Sequence, residues 1–197
     1  LRRLMPQYPV PVVMVSALTS PGAQVTLDAL ENGAIDFVLK PSTSFGNKLE
    51  DMIDELVQKI KVASTVDVSK WRNKVRTESK RPQGAVLHGT TDKVIGIGAS
   101  TGGTVALRAV IEAFPPDMPG TVIVQHMPPK FTKMFADKLN SLSKVEVKEA
   151  EDHDRVMKGR VLIAPGGMQM SVVRSGGRYV VRVKDGEKVN GHAPSVD

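Results

Sequence analysis

Residues 94–103 read VIGIGASTGG. An apolar run enters a glycine turn, presents Ser100 and opens a helix. A segment of this kind belongs at the carboxyl end of a strand in an α/β fold. The pattern then continues with a helix over 103–113 and a second apolar strand over 121–125, which ends on Gln125 and His126. A strand–helix–strand crossover is right-handed and usually places its two strands side by side, about 4.8 Å apart. Ser100 and His126 are therefore expected at adjoining strand ends, on the edge where open α/β sheets bind ligands. A serine within reach of an imidazole is the minimum for nucleophilic hydrolysis. The ring takes the hydroxyl proton and later protonates the leaving group. The first free N–H groups of the following helix are suited to a developing oxyanion.

Other readings of the same residues stay open. Gly96, Gly98 and Gly102 loosely match a dinucleotide-binding turn, which also wants an acidic residue at the end of the second strand; here that place holds Gln125 and His126. The turn could equally be structural, and His126 a hydrogen-bonded core histidine. The cluster Glu151, Asp152, His153 and Asp154 lies in a polar connection without metal-site spacing and reads as a solvated loop. No orienting carboxylate for His126 is identifiable from spacing.

The rest of the chain follows the same alternation. Pro11 to Val15 and Ile35 to Leu39 are continuous apolar runs, as in strands buried on both faces of a parallel sheet. Leu1 to Met5 reads as a helix end. Ala23 to Asn32 reads as a helix stopped by Asn32 and Gly33. Leu49 to Val62 has apolar residues at 49, 52, 53, 56, 57 and 60, a helical period. Residues 63–92 are polar and basic and read as a linker. From Lys93 come strand 94–98, helix 103–113, strand 121–125, helix 131–142 and strands near 145–149 and 160–163. Arg178 to Val183, with a turn at Asp185 and Gly186, is expected to form a hairpin with the segment near Met170 to Val173.

The bulk numbers narrow the class. The 197 residues suffice for one domain or two small ones, and contain no cysteine, which excludes disulfides and thiolate chemistry. The lack of cysteine fits a cytoplasmic protein. No apolar run reaches the ~18 residues of a membrane span, so no membrane insertion is expected. The net charge of +6 owes much to KWRNKVRTESKR, Lys70 to Arg81. A solvated spacer is the simpler reading of that run. The alternative is a regulator that binds DNA through Lys70, Arg72, Lys74 and Arg76, with salt-dependent affinity.

VIGIGASTGG, VQHMPPKFTKMFADKLN, VKEAEDHDRVMKGRVLIAPGG and NGHAPSVD together resemble the catalytic domain of the chemotaxis protein-glutamate methylesterases, the CheB family, over 93–197. Residues 1–62 resemble the carboxyl-terminal part of a flavodoxin-like response-regulator receiver domain. The resemblance implies an α/β chain: part of a receiver (1–62), a linker (63–92) and the first part of a doubly wound parallel-sheet methylesterase domain (93–197). It implies hydrolysis of glutamate γ-methyl esters, and deamidation of selected glutamines, on methyl-accepting chemoreceptors. Ser100 would be the nucleophile, His126 the general base and the Thr101 N–H an oxyanion donor, with no cofactor for catalysis and no nucleic-acid partner.

In the receiver part, Ser16 and Lys40 match the hydroxyl and lysine that contact the phosphoryl group, and Lys40–Pro41 is expected to be cis. A chemotaxis histidine kinase would be the phosphodonor, and Mg2+ would serve phosphorylation of the complete receiver. The family's phosphoacceptor aspartate and triad aspartate have no match between Leu1 and Asp197. The chain therefore reads as a piece of a longer enzyme, nearly inactive by itself.

Overall fold

The computed structural model describes residues 1–17, 19–41, 49–69 and 93–197, and the basic run Lys70 to Arg81 lies outside them. The chain divides into two compact units, Leu1–Ser79 and Lys80–Asp197.

In the first unit, β1 (Val13–Ser16) and β2 (Asp36–Leu39) form a parallel pair in which Ser16 is level with Leu39. Between them runs α1 (Ser20–Glu31). Thr19 caps it by accepting the Gly22 N–H at 3.1 Å. Asn32 closes it, and Gly33 then takes φ 106°, which favours glycine. Helix α2 (Leu49–Ala63) is fixed to β2 through Lys59. The Lys59 ammonium donates to the Phe37 carbonyl at 2.6 Å, lies 3.3 Å from the Asp36 carboxylate and sits over the Phe37 ring. A small core gathers Met5, Ile35, Ala63 and Val68. The periodicity of α2 is as read, but Leu49, Ile53, Val57 and Ile60 are exposed.

Two expectations fail in this unit. Residues 2–7 form hydrogen-bonded turns, not a helix end. The cis peptide bond among the described residues is Ala193–Pro194, and Lys40–Pro41 is not cis. Proline lowers the cost of a cis bond without making it the default.

The second unit is a four-stranded parallel sheet in the order β3-β4-β6-β5. Its strands are β3 (Val94–Ala99), β4 (Gly120–Gln125), β5 (Glu146–Glu149) and β6 (Arg160–Ile163), with α3 (Gly103–Glu112) and α4 (Phe131–Leu142) as crossovers. Side chains alternate between faces of a strand, so Ile123, Val161 and Ile163 share one face and Val122 and Leu162 the other. Helices α3 and α4 pack on each other, and bury Leu107, Ile111, Phe131, Phe135 and Leu139. Burying each such side chain contributes about 1.5–3 kcal/mol.

The Val122 and Leu162 face carries an antiparallel hairpin of β7 (Gln169–Ser175) and β8 (Arg178–Lys184). Val181 enters a core with Ala150, Val156 and Leu162. Among the described residues the second face is thus covered by a hairpin where a doubly wound sheet has helices. The hairpin turns at Gly176 and Gly177, both with positive φ, instead of at Asp185 and Gly186. Two glycines satisfy the left-handed pair that a tight hairpin turn demands.

Candidate active site

The register of the sheet sets the site. Ala99 is level with Gln125, so the next residues, Ser100 and His126, leave the sheet side by side. The His126 N–H donates to the Ala99 carbonyl at 3.2 Å, carrying the β3–β4 ladder one residue further. Ser100 is exposed and His126 half-buried. Ser100 Oγ lies 3.2 Å from His126 Nδ1. For the hydroxyl to donate, Nδ1 must be the bare nitrogen and Nε2 must carry the ring proton.

The turn after Ser100 is tight. The Gly103 N–H donates to the Ser100 carbonyl at 2.7 Å, and Gly102 adopts φ 76°. Thr101 lies between Ser100 and the first residue of α3, where helix N–H groups and the helix dipole favour negative charge. Gly96 and Gly98, in contrast, lie inside β3 and not in the turn. That placement breaks the loop spacing of a dinucleotide fingerprint.

A residue that spacing did not single out lies against His126. The His192 ring stacks on it, with centroids 3.7 Å apart and planes 13° from parallel. Residues 189–192 form a small turn closed by reciprocal Val189–His192 backbone bonds. Asn190 and Gly191 supply its two left-handed residues. Gln169 ties it down by donating to the His192 carbonyl at 3.0 Å and accepting the Ser195 N–H at 3.0 Å. Asp197 accepts from Asn190 Nδ2 at 2.8 Å. That bond first, and the Ser195 hydroxyl second, hold the Asp197 carboxyl below the usual carboxylate range. The Asn-Gly pair at 190–191 was the available sequence signal for this turn.

The segment that carries His126 leans on Gly166. A Cβ there would come within 2.5 Å of the Met127 carbonyl oxygen and of the backbone of Pro128 and Pro129. The Gly166 N–H is also held by Thr132 Oγ1 at 3.0 Å. Gly166→Ala is therefore expected to cost about 1–3 kcal/mol of overpacking, read as a lower denaturant midpoint, because backbone must move.

In the first unit, the Lys40 N–H donates to the Ser16 carbonyl at 2.7 Å, so both residues lie at one end of the β1–β2 pair. Ser16 Oγ receives the Thr26 hydroxyl at 2.5 Å, and Lys40 is exposed. A hydroxyl and an ammonium do not fit Mg2+, which takes carboxylate and water oxygens. Among the described residues no group of three His, Cys, Asp or Glu side chains is placed to hold a metal. Asp152 and His153 sit in an exposed loop, where the Asp152 carboxylate accepts the Val183 N–H at 3.0 Å and His153 meets Arg182. Neither is part of the Ser100 site. No helix among the described residues is long and apolar enough to cross a membrane.

The profile described as CheB methylesterase matches residues 95–197, which hold Ser100, His126 and His192. The chain belongs to the CheB methylesterase family. A relative from Syntrophotalea carbinolica, named protein-glutamate methylesterase/protein-glutamine glutaminase, is 58% identical over 200 residues, covering all of this chain and 57% of that protein. One of the same name from Sulfurimonas denitrificans is 50% identical, again over all of this chain and 57% of its own length. This CheB-family chain thus spans a little over half the length of these relatives. The crystal structure of the Thermotoga maritima CheB methylesterase catalytic domain matches with a TM-score of 0.52 and 40% identity, over 54% of this chain and 57% of that one.

Proposed function

We propose that this chain carries the nucleophile and base of a serine hydrolase that removes methyl groups from glutamate γ-esters on chemoreceptors and deamidates selected glutamines there. The observation that carries the reading is the 3.2 Å approach of Ser100 Oγ to His126 Nδ1 at adjoining strand ends. The names of the relatives supply the substrate class. In this mechanism Nδ1 accepts the hydroxyl proton as Oγ attacks the γ-carbonyl carbon. The Thr101 N–H donates to the oxyanion. The imidazolium then gives the proton to the departing oxygen, and methanol leaves. Water, activated by the same ring, releases the acyl group as glutamate. With an amide substrate, ammonia departs instead. The chemistry needs no cofactor. A carboxylate that orients the imidazole completes such sites, and Asp28, Asp36 and Asp152 are not assigned that role.

Residues 1–62 act in this proposal as part of a receiver domain. Ser16 and Lys40 would contact a phosphoryl group donated by a chemotaxis histidine kinase, through a hydroxyl hydrogen bond and a charge-assisted one. Before phosphorylation the receiver holds esterase activity down. Deleting residues 1–92 from the full-length gene product should then raise basal turnover by about 5- to 150-fold, the range of typical coupling energies. A fall in turnover would make the receiver an activator. The function itself is tested by incubating the full-length protein with receptor fragments carrying isotopically labelled methyl esters. Labelled methanol is expected from the wild type and not from Ser100→Ala. No methanol from the wild type would reject the proposal.

A further inference from the structure

Gln125 is the last residue of β4, and its side chain is 3% exposed. It points to the helix face of the sheet, beneath the turn that presents Ser100. Its Nε2 donates to the Ser100 carbonyl at 3.0 Å and lies 3.4 Å from the His126 carbonyl. One buried amide thus ties together the two turns that hold the reacting side chains. Its Oε1 is buried with no hydrogen-bond partner in the structure. It rests against the first residue of α3, where a Cβ on Gly103 would overlap it and would also come within 2.8 Å of the Ala99 Cβ. The buried oxygen, negative in its dipole, faces the positive end of α3.

We propose that Gln125 is a positioning residue, which clamps the Ser100 turn to the His126 turn at the spacing proton transfer requires, and that Gly103 makes room for the clamp. The inference rests on the reading of Ser100 and His126 as nucleophile and base. Neither Gln125 nor Gly103 touches the reacting atoms; they act through the backbone of Ser100. Misplacement of a reacting group by about an ångström can cost on the order of 100-fold in rate.

The test compares Gln125→Met with the wild type in the full-length gene product. Turnover is expressed per site titrated by a serine-directed phosphonate, so unfolded protein does not count. Gln125→Met is expected to lower kcat about 10- to 100-fold, with KM unchanged. Gly103→Ala, which displaces the amide from the other side, should lower kcat in the same way without changing KM, and serves if Gln125→Met does not fold. Wild-type kcat per titrated site in whichever of the two variants folds would overturn the clamp. So would a change confined to KM. Ser100→Ala separates the two levels. If Ser100→Ala keeps its turnover, the hydrolase reading has failed. If it is dead while Gln125→Met is fully active, only the clamp has failed.

Discussion

Ser100→Ala in the full-length gene product is expected to lower ester hydrolysis by at least about 10^4-fold. The hydroxyl is the only group removed, and its oxygen lies 3.2 Å from His126 Nδ1. Ser100 is exposed, so stability should stay within about 0.5 kcal/mol of the wild type. KM should change little, because the substrate still meets the same surface. Steady-state methanol release and a denaturant melt together check this. A variant that lost activity and stability in parallel would point to a structural turn instead.

His126→Ala has the second largest expected effect, again on the order of 10^4-fold in kcat. Without the ring, no group takes the Ser100 proton. The double variant should be no worse than either single one, since nucleophile and base act as a unit. Added imidazole should restore part of the rate, because the lost group is a base and the vacated space adjoins the exposed His192. A nucleotide-binding site would be indifferent to His126→Ala, so an unchanged rate would return that alternative to consideration.

How much was legible in the sequence depended on how local the determinants were. The β3–α3–β4 unit was readable to within about a residue. Apolar runs mark its strands, the Gly102–Gly103 pair marks the turn, and a right-handed crossover leaves little choice of neighbour. The juxtaposition of Ser100 and His126 followed from that topology alone. Insertion of β6 between β4 and β5 was not readable, since strand order depends on long-range packing. The hairpin was placed correctly but its turn was not. Asp185-Gly186 has the commoner turn composition, yet cross-strand pairing from Gln169–Lys184 to Ser175–Arg178 leaves Gly176 and Gly177 as the connection. The stacking of His192 on His126 was not readable because the two are 66 positions apart (192 minus 126); the Asn190-Gly191 pair announces only the turn. In the sequence Gln125 stands out only as a residue that is not acidic. Its role depends on a burial that one strand's sequence does not reveal.

The central claim, that Ser100 is a nucleophile activated by His126, is tested most directly by covalent capture. The full-length protein is treated with a fluorophosphonate, digested and analysed by peptide mass spectrometry. A phosphonyl adduct on the peptide containing Ser100, formed rapidly in the wild type and at least about 100-fold more slowly in His126→Ala, is the predicted result. Labelling at another residue, or labelling of Ser100 at the same rate with and without His126, would contradict it.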